Sequence, residues 1–156
     1  MFKVLTEGCE PTRGSKYSAC VDLYASEDVV VGVGETKLVG LGVCLDEDVM
    51  KALTVKFKSK YYIQLMLRSS LSKELIIANG VGIIDMDYED EIKIRVHKPM
   101  DMFSAINDDY SEDFTIKKGD KIAQITLMEH KSYLFGIDSE EKRTGGFGST
   151  DKEKGK

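Results

Sequence analysis

Apolar and polar positions alternate along most of this chain. Leu53, Val55 and Phe57 alternate with Thr54, Lys56 and Lys58, and Tyr61, Ile63, Leu65 and Leu67 alternate with Tyr62, Gln64 and Met66. Ile92, Ile94 and Val96 alternate in the same way with Glu91, Lys93 and Arg95. A period of two predicts strands with at least one buried face. Shorter strands are predicted over 3–5, 22–25, 37–45, 83–84 and 121–128, separated by turn residues at Gly32 and Gly34, Asn79-Gly80 and Gly119-Asp120. Helical periodicity is weak: one short turn is expected after Ser70 and another near Asp46. The predicted fold is all-β, a sandwich or a jelly-roll-like barrel.

Two segments depart from the alternation. Residues 98–114 are acidic and weakly patterned, and read as a long surface loop or short helix between strands. From Ser139 onward the only apolar side chain is Phe147, among glycines and charges. Such a stretch cannot bury enough surface to hold itself folded, so it reads as a mobile arm. The expected organisation is a β domain over 1–138 and an arm over 139–156. A total of 156 residues suits one substantial core.

Composition narrows the function. Hydrophobic residues make up 42% and charged residues 31%, as in ordinary globular proteins. No apolar run could cross a bilayer and no signal peptide is visible, so no membrane partner is expected. Cys9, Cys20 and Cys44 are odd in number and lack CxxC spacing. That argues against a disulfide framework and a zinc site, and suits a reducing cytoplasm. The formal charge of −5 disfavours a nucleic-acid binder. The lysines at 56, 58 and 60 and at 117, 118 and 121 read as solvated strand faces. An anionic ligand would have to be held locally, and a small one chelated by a cation fits best.

Four stretches can carry chemistry. After Asn79-Gly80, a hairpin signal, the alternation places Asp85 and Asp87 on one side and Met86 and Tyr88 on the other. Neighbouring carboxylates can supply a general base, though the same spacing describes a plain hairpin with a solvated acidic edge. LRSSLS (67–72) puts Arg68 and two hydroxyls after an apolar strand, which makes an anion cradle or merely a helix cap at Ser69 or Ser70. Gln124 is a polar side chain in an apolar strand, either a ligand or edge-facing. TGGFGST (144–150) offers backbone N–H groups for phosphate and an aromatic for a base, or is simply a flexible tail.

Their order is more specific than any one of them. The chain resembles the trimeric dUTPase family at SACVDLYA (18–25), LRSSLS, ANGVGIIDMDYEDE (78–91), GDKIAQITL (119–127) and RTGGFGST (143–150), in the family's own order and over nearly the whole chain. The resemblance implies a jelly-roll-like distorted β-barrel and hydrolysis of dUTP to dUMP and pyrophosphate. It makes Asp85 the carboxylate that activates water for in-line attack on the α-phosphorus. Asn79, Gly82, Ile84 and Tyr88 would bind uracil and deoxyribose, with Phe147 lying over the base. Arg68, Ser69, Ser70 and Gln124 would bind phosphates, joined by Arg143, Gly146, Gly148, Ser149 and Thr150 of the arm. Asp22 would hold Mg²⁺ through its water shell.

The resemblance also implies a homotrimer whose sites are shared between subunits. Departures are local: Cys20 and Val21 replace the usual Gly and Tyr, Glu89-Asp90 replaces a glycine, and Lys142 stands where the arm arginine is expected, one place before Arg143. The altered first motif, with segments at 98–114 and around 46–60 longer than the family's minimal connections, hints at a viral or phage enzyme, working then in the host cytoplasm. The rival readings are a dCTP deaminase, or a deaminase–pyrophosphatase hybrid, on the same fold, and a dUTPase that also engages a regulatory protein. A zinc-type deaminase is disfavoured, because its His-x-Glu and Cys-x-x-Cys elements are absent.

Overall fold

A computed structural model describes residues 1–100 and 112–137. Strands dominate. In chain order they are β1 (Phe2–Val4), β2 (Val21–Tyr24), β3 (Val29–Val31), β4 (Thr36–Gly40), β5 (Val43–Leu45), β6 (Tyr61–Leu67), β7 (Ile76–Ile77), β8 (Gly82–Ile84), β9 (Lys93–His97), β10 (Phe114–Ile116) and β11 (Lys121–Glu129). They form four antiparallel sheets, ordered β2-β11-β6-β8, β4-β9-β7, β1-β5 and β10-β3. The expected all-β, jelly-roll-like fold is what forms, as several short sheets wrapped around one core. No helix among the described residues is long and apolar enough to cross a membrane.

The alternation in the sequence becomes the core directly. Along β9 and the residue before it, Ile92, Ile94 and Val96 are fully buried while Lys93, Arg95 and His97 are only half-buried. β6 buries Ile63 and Leu65. With Leu23, Val39, Leu41, Ile116 and Ile122 they make one apolar cluster. Each such side chain contributes about 1.5–3 kcal/mol by leaving water.

Some expected elements take another form. Residues 53–58 alternate like a strand but form helix. Asp46 accepts from the N–H groups of Asp48 and Val49 and starts α1 (Glu47–Ala52). Thr54 accepts from the Phe57 N–H and starts α2 (Val55–Lys58). Two caps in this short space outweigh a three-residue alternation, and Phe57 stacks on Tyr61 with ring centroids 4.6 Å apart. Lys56 and Lys58 therefore lie on a helix. The single strand expected over 37–45 divides into β4 and β5 at Gly42, whose φ is +63°. β3, β7 and β10 escape the alternation rule, being short runs without a full alternation. β10 begins at Phe114, so the 98–114 segment is structured at its C-terminal end by pairing with β3. Residues 101–111 and the expected domain boundary at 138/139 lie outside the described residues.

One loop contact sets an acid limit on stability. The Lys118 backbone N–H donates to Asp28 at 2.8 Å and Lys117 pairs with it at 3.1 Å, which holds the Asp28 carboxyl below its usual range. A carboxylate depressed in the folded state adds stability above its unfolded pKa and loses it as pH falls through the folded one. Asp28→Asn should therefore flatten the acid limb of a urea-denaturation series between about pH 5 and pH 3. An acid limb as steep as the parent's would remove Asp28 from that role.

Candidate active site

The Asn79–Gly80 turn does not join two paired strands. β7 pairs with β9, and β8 pairs with β6, so the turn crosses from one sheet to another. The Gly80 N–H donates to the Ile77 carbonyl at 3.1 Å with φ at +74°, a left-handed geometry that favours glycine. The hairpin signal is right about the turn and wrong about its partners. Turn chemistry is local, whereas strand pairing is decided by which buried faces meet.

That crossing opens a cavity between the two sheets. Its volume is about 160 Å³, with Asn79, Gly82, Ile84 and Tyr88 in its wall, apolar support from Leu65 and Ile77, and Lys93 and Arg95 from β9. This is small against the roughly 300–1,000 Å³ of drug-sized pockets and suits one small ring. Gly82 faces Leu65 across the ladder, and a Cβ on it would stand 2.9 Å from the Leu65 Cβ. Only glycine lets β8 lie this close to β6. The predicted site residues Asn79, Gly82, Ile84 and Tyr88 are thus brought together.

Past β8 the sidedness read from the sequence persists. Asp85 and Asp87 are exposed, while Met86 and Tyr88 are buried. The Tyr88 N–H donates to the Asp85 carbonyl at 3.1 Å, closing a turn, and the Tyr88 hydroxyl donates to the Glu91 carbonyl at 3.1 Å. The ring is held at both ends beside the cavity, and the Asp85 carboxylate leaves the strand toward solvent.

A second group assembles across the four-stranded sheet. Gln124 on β11 faces Asp22 of β2 on one side and Met66 of β6 on the other. Arg68 follows β6, and its N–H donates to the Ile122 carbonyl at 3.0 Å. Its guanidinium pairs with Asp22, which is buried, and Lys121 reaches the other Asp22 oxygen at 3.4 Å. A buried carboxylate needs such partners, since charge leaving water is costly. Two cations around one carboxylate leave a local positive excess in an acidic protein, which suits an anion.

Sequence reasoning misses Lys121, because it resembles its solvated neighbours Lys117 and Lys118. Only the register, which sets Lys121 opposite Tyr24 and near Asp22, distinguishes it. Lys93 and Arg95 at the cavity likewise look, by alternation, like outward-facing strand positions. Ser69 and Ser70 lie exposed in a 3-10 turn (Ser69–Leu71) flanked by Arg68, with no side-chain cap. The capping alternative for LRSSLS is therefore not the one that forms. Arg143, Gly146, Phe147, Gly148, Ser149 and Thr150 lie outside the described residues.

Within one chain Asp85 and Arg68 lie toward opposite ends of β6. β8 runs antiparallel to β6 with Ile84 beside Ile63, so Asp85 emerges near the start of β6 while Arg68 follows its end. From Ile63 to Arg68 the strand advances roughly 17 Å at about 3.3 Å per residue.

Among the described residues no three His, Cys, Asp or Glu side chains cluster as metal ligands. The donor set fits Mg²⁺ held through water: this ion keeps several waters and is bound by one or two carboxylates plus substrate phosphates. Asp22 has lone pairs beyond those used by Arg68 and Lys121, enough to accept from such waters.

Comparison with known proteins shows the family. The dUTPase family model matches residues 6–151. The deoxyuridine 5'-triphosphate nucleotidohydrolase of Debaryomyces hansenii is 35% identical over 148 residues, covering 91% of this chain and 80% of the yeast protein. The dUTPase of Streptococcus mutans superposes with a TM-score of 0.64 at 23% identity, covering 88% of this chain and 98% of that one. A variant dUTPase from phage phi11 of S. aureus, described as coordinating a structural Mg(II) ion, superposes with a TM-score of 0.63 at 20% identity, covering 95% and 97%. The family match spans both the inter-sheet cavity and the Asp22–Arg68 cluster, and the chain belongs to the dUTPase family.

Proposed function

We propose that this chain hydrolyses dUTP to dUMP and pyrophosphate, with Asp85 as general base. The observation that carries the reading is the inter-sheet cavity, which sets a backbone turn at Asn79 and the ring of Tyr88 beside the exposed Asp85. The turn's backbone groups pair with the acceptor–donor–acceptor edge of uracil. Cytosine would leave polar groups unpaired there, at roughly 1–3 kcal/mol each. Tyr88 packs on the deoxyribose and excludes a 2′-hydroxyl.

Asp85 accepts a proton from water as its oxygen bonds to the α-phosphorus, and the bond to the bridging oxygen of the leaving pyrophosphate breaks in line. Arg68, Ser69, Ser70 and Gln124 hold the phosphates. Asp22 would hold Mg²⁺ through its water shell, and the ion would supply positive charge to offset that developing on the pyrophosphate. Arg143, Gly146, Phe147, Gly148, Ser149 and Thr150, which lie outside the described residues, supply the further contacts to base and phosphates that the family resemblance implies. Deleting 145–156 should lower turnover severely while leaving the thermal unfolding transition in place; unchanged turnover would remove the arm from the mechanism.

Asp85 and Arg68 lie toward opposite ends of β6, roughly 17 Å apart along the strand, an arrangement in keeping with a homotrimer in which Asp85 of one subunit faces Arg68 of another. Three free cysteines fit action in the cytoplasm, or in a host's cytoplasm if the source is viral. The deciding experiment measures pyrophosphate release from dUTP, dCTP, dTTP and UTP with and without Mg²⁺. Selective, Mg²⁺-dependent release from dUTP is expected. Ammonia release from dCTP would establish the deaminase reading instead.

A further inference from the structure

Three residues beyond Tyr88 stands a carboxylate that has no task in the proposed hydrolysis. The Gly42 N–H donates to Glu91 Oε1 at 2.9 Å, and Lys93 Nζ lies 3.9 Å from Oε2. The corner between β4 and β5, Gly40-Leu41-Gly42, is shaped around this side chain. A Cβ on Gly40 would stand 2.6 Å from Glu91 Oε1 and equally close to the Ser26 hydroxyl. A Cβ on Gly42 would stand 2.7 Å from both Cβ and Sγ of Cys9. One glycine leaves room for the carboxylate, and the other supplies its donor while pressed against Cys9. At Gly40 a side chain would displace the Glu91 carboxylate and the Ser26 hydroxyl from their seats, and at Gly42, with φ at +63° against Cys9, it would also strain the backbone.

The main chain beside Glu91 is locked to the same corner. The Leu41 N–H donates to the Ile92 carbonyl at 3.0 Å, and the Ile92 N–H donates to the Val43 carbonyl at 2.8 Å. The carbonyl of Glu91 in turn accepts the Tyr88 hydroxyl. An unbroken chain of contacts thus runs from the Gly40–Gly42 corner through Glu91 to the phenol at the cavity.

We infer that Glu91 is a positioning residue for sugar selection: seated in the glycine corner, it fixes the carbonyl that holds the Tyr88 ring against the 2′ position of the substrate. The inference rests on the sugar role proposed for Tyr88. Excluding one hydroxyl by contact demands a ring that cannot retreat, because a displacement of about 1 Å opens the space the hydroxyl needs. The hydrogen bond to Glu91 removes that freedom. The carboxylate touches no substrate and acts through the ring.

The test compares kcat/KM for dUTP with that for UTP in the full-length parent and in Glu91→Ala, Glu91→Gln, Tyr88→Phe and Tyr88→Ala. Glu91→Ala should reduce the dUTP preference roughly tenfold, with a higher KM for dUTP and a smaller change in kcat. Glu91→Gln should stay within about twofold of the parent, because its amide oxygen still accepts from Gly42. Tyr88→Phe, cut off from the Glu91 carbonyl, should follow Glu91→Ala. If Glu91→Ala slows both substrates equally and the preference stands, the role is structural only and the inference fails. Should Glu91→Ala not fold, an unchanged preference in Tyr88→Phe overturns it. Tyr88→Ala tests the underlying reading separately: if its preference is also unchanged, the sugar role of Tyr88 falls, and the inference with it.

Discussion

Asp85→Asn should reduce pyrophosphate release by roughly 10²–10⁴-fold while nucleotide affinity stays close to the parent's. The substitution removes proton acceptance and little else. Asp85 is exposed, and the turn that follows depends on its backbone carbonyl, which accepts from the Tyr88 N–H. The cavity wall at Asn79, Gly82 and Tyr88 does not include it. The result should therefore appear in kcat, with binding by calorimetry or a fluorescent analogue nearly unchanged. Normal turnover in Asp85→Asn would end the general-base assignment. Loss of binding alongside turnover would mean that Asp85 contacts the nucleotide instead.

Arg68→Ala should have the next largest effect, on activity and on stability together. Arg68 partners a buried carboxylate, so its removal leaves Asp22 with Lys121 alone at 3.4 Å. Stripping one partner from a fully buried pair costs about 3–5 kcal/mol. Here Arg68 is partly exposed and Lys121 remains, so a loss of roughly 1–3 kcal/mol is expected in urea denaturation. Turnover should fall at least as far as a lost phosphate contact implies, on the order of 10²-fold. Restoring stability without activity in Arg68→Ala combined with Asp22→Asn would separate the two roles.

Mixing the two inactive variants tests the shared site directly. If Asp85 of one subunit serves Arg68 of another, trimers reassembled from equal amounts of Asp85→Asn and Arg68→Ala regain activity at roughly a quarter of their sites. A site confined to one chain would recover nothing.

Much of this fold and site is legible in the order of the amino acids, and for identifiable reasons. The strands β6 and β9 are readable because a buried face imposes a period of two over five or more residues. The sidedness of residues 85–88 is readable for the same reason, and it survives beyond the end of β8. The family resemblance supplies what alternation cannot, since no spacing rule says that a carboxylate after a turn activates water. Residues 53–58 defeat the same rule. Three apolar positions are too few to outweigh two well-placed caps, and the caps are visible in the sequence at Asp46 and Thr54.

What the chain encodes locally is its alternation, its turns and the order of its motifs, because each depends only on neighbours in sequence. What folding alone decides is which strand lies beside which. Asn79-Gly80 carries the signal of a hairpin, yet its flanking strands belong to different sheets, and the cavity exists because they part. Lys121 looks like any solvated lysine until register places it near a buried aspartate. Glu91 looks like the polar half of an alternation until the Gly40–Gly42 corner, nearly fifty residues earlier in the chain, closes around it. These pairings minimise exposed apolar surface over the whole molecule, a sum that no local window contains.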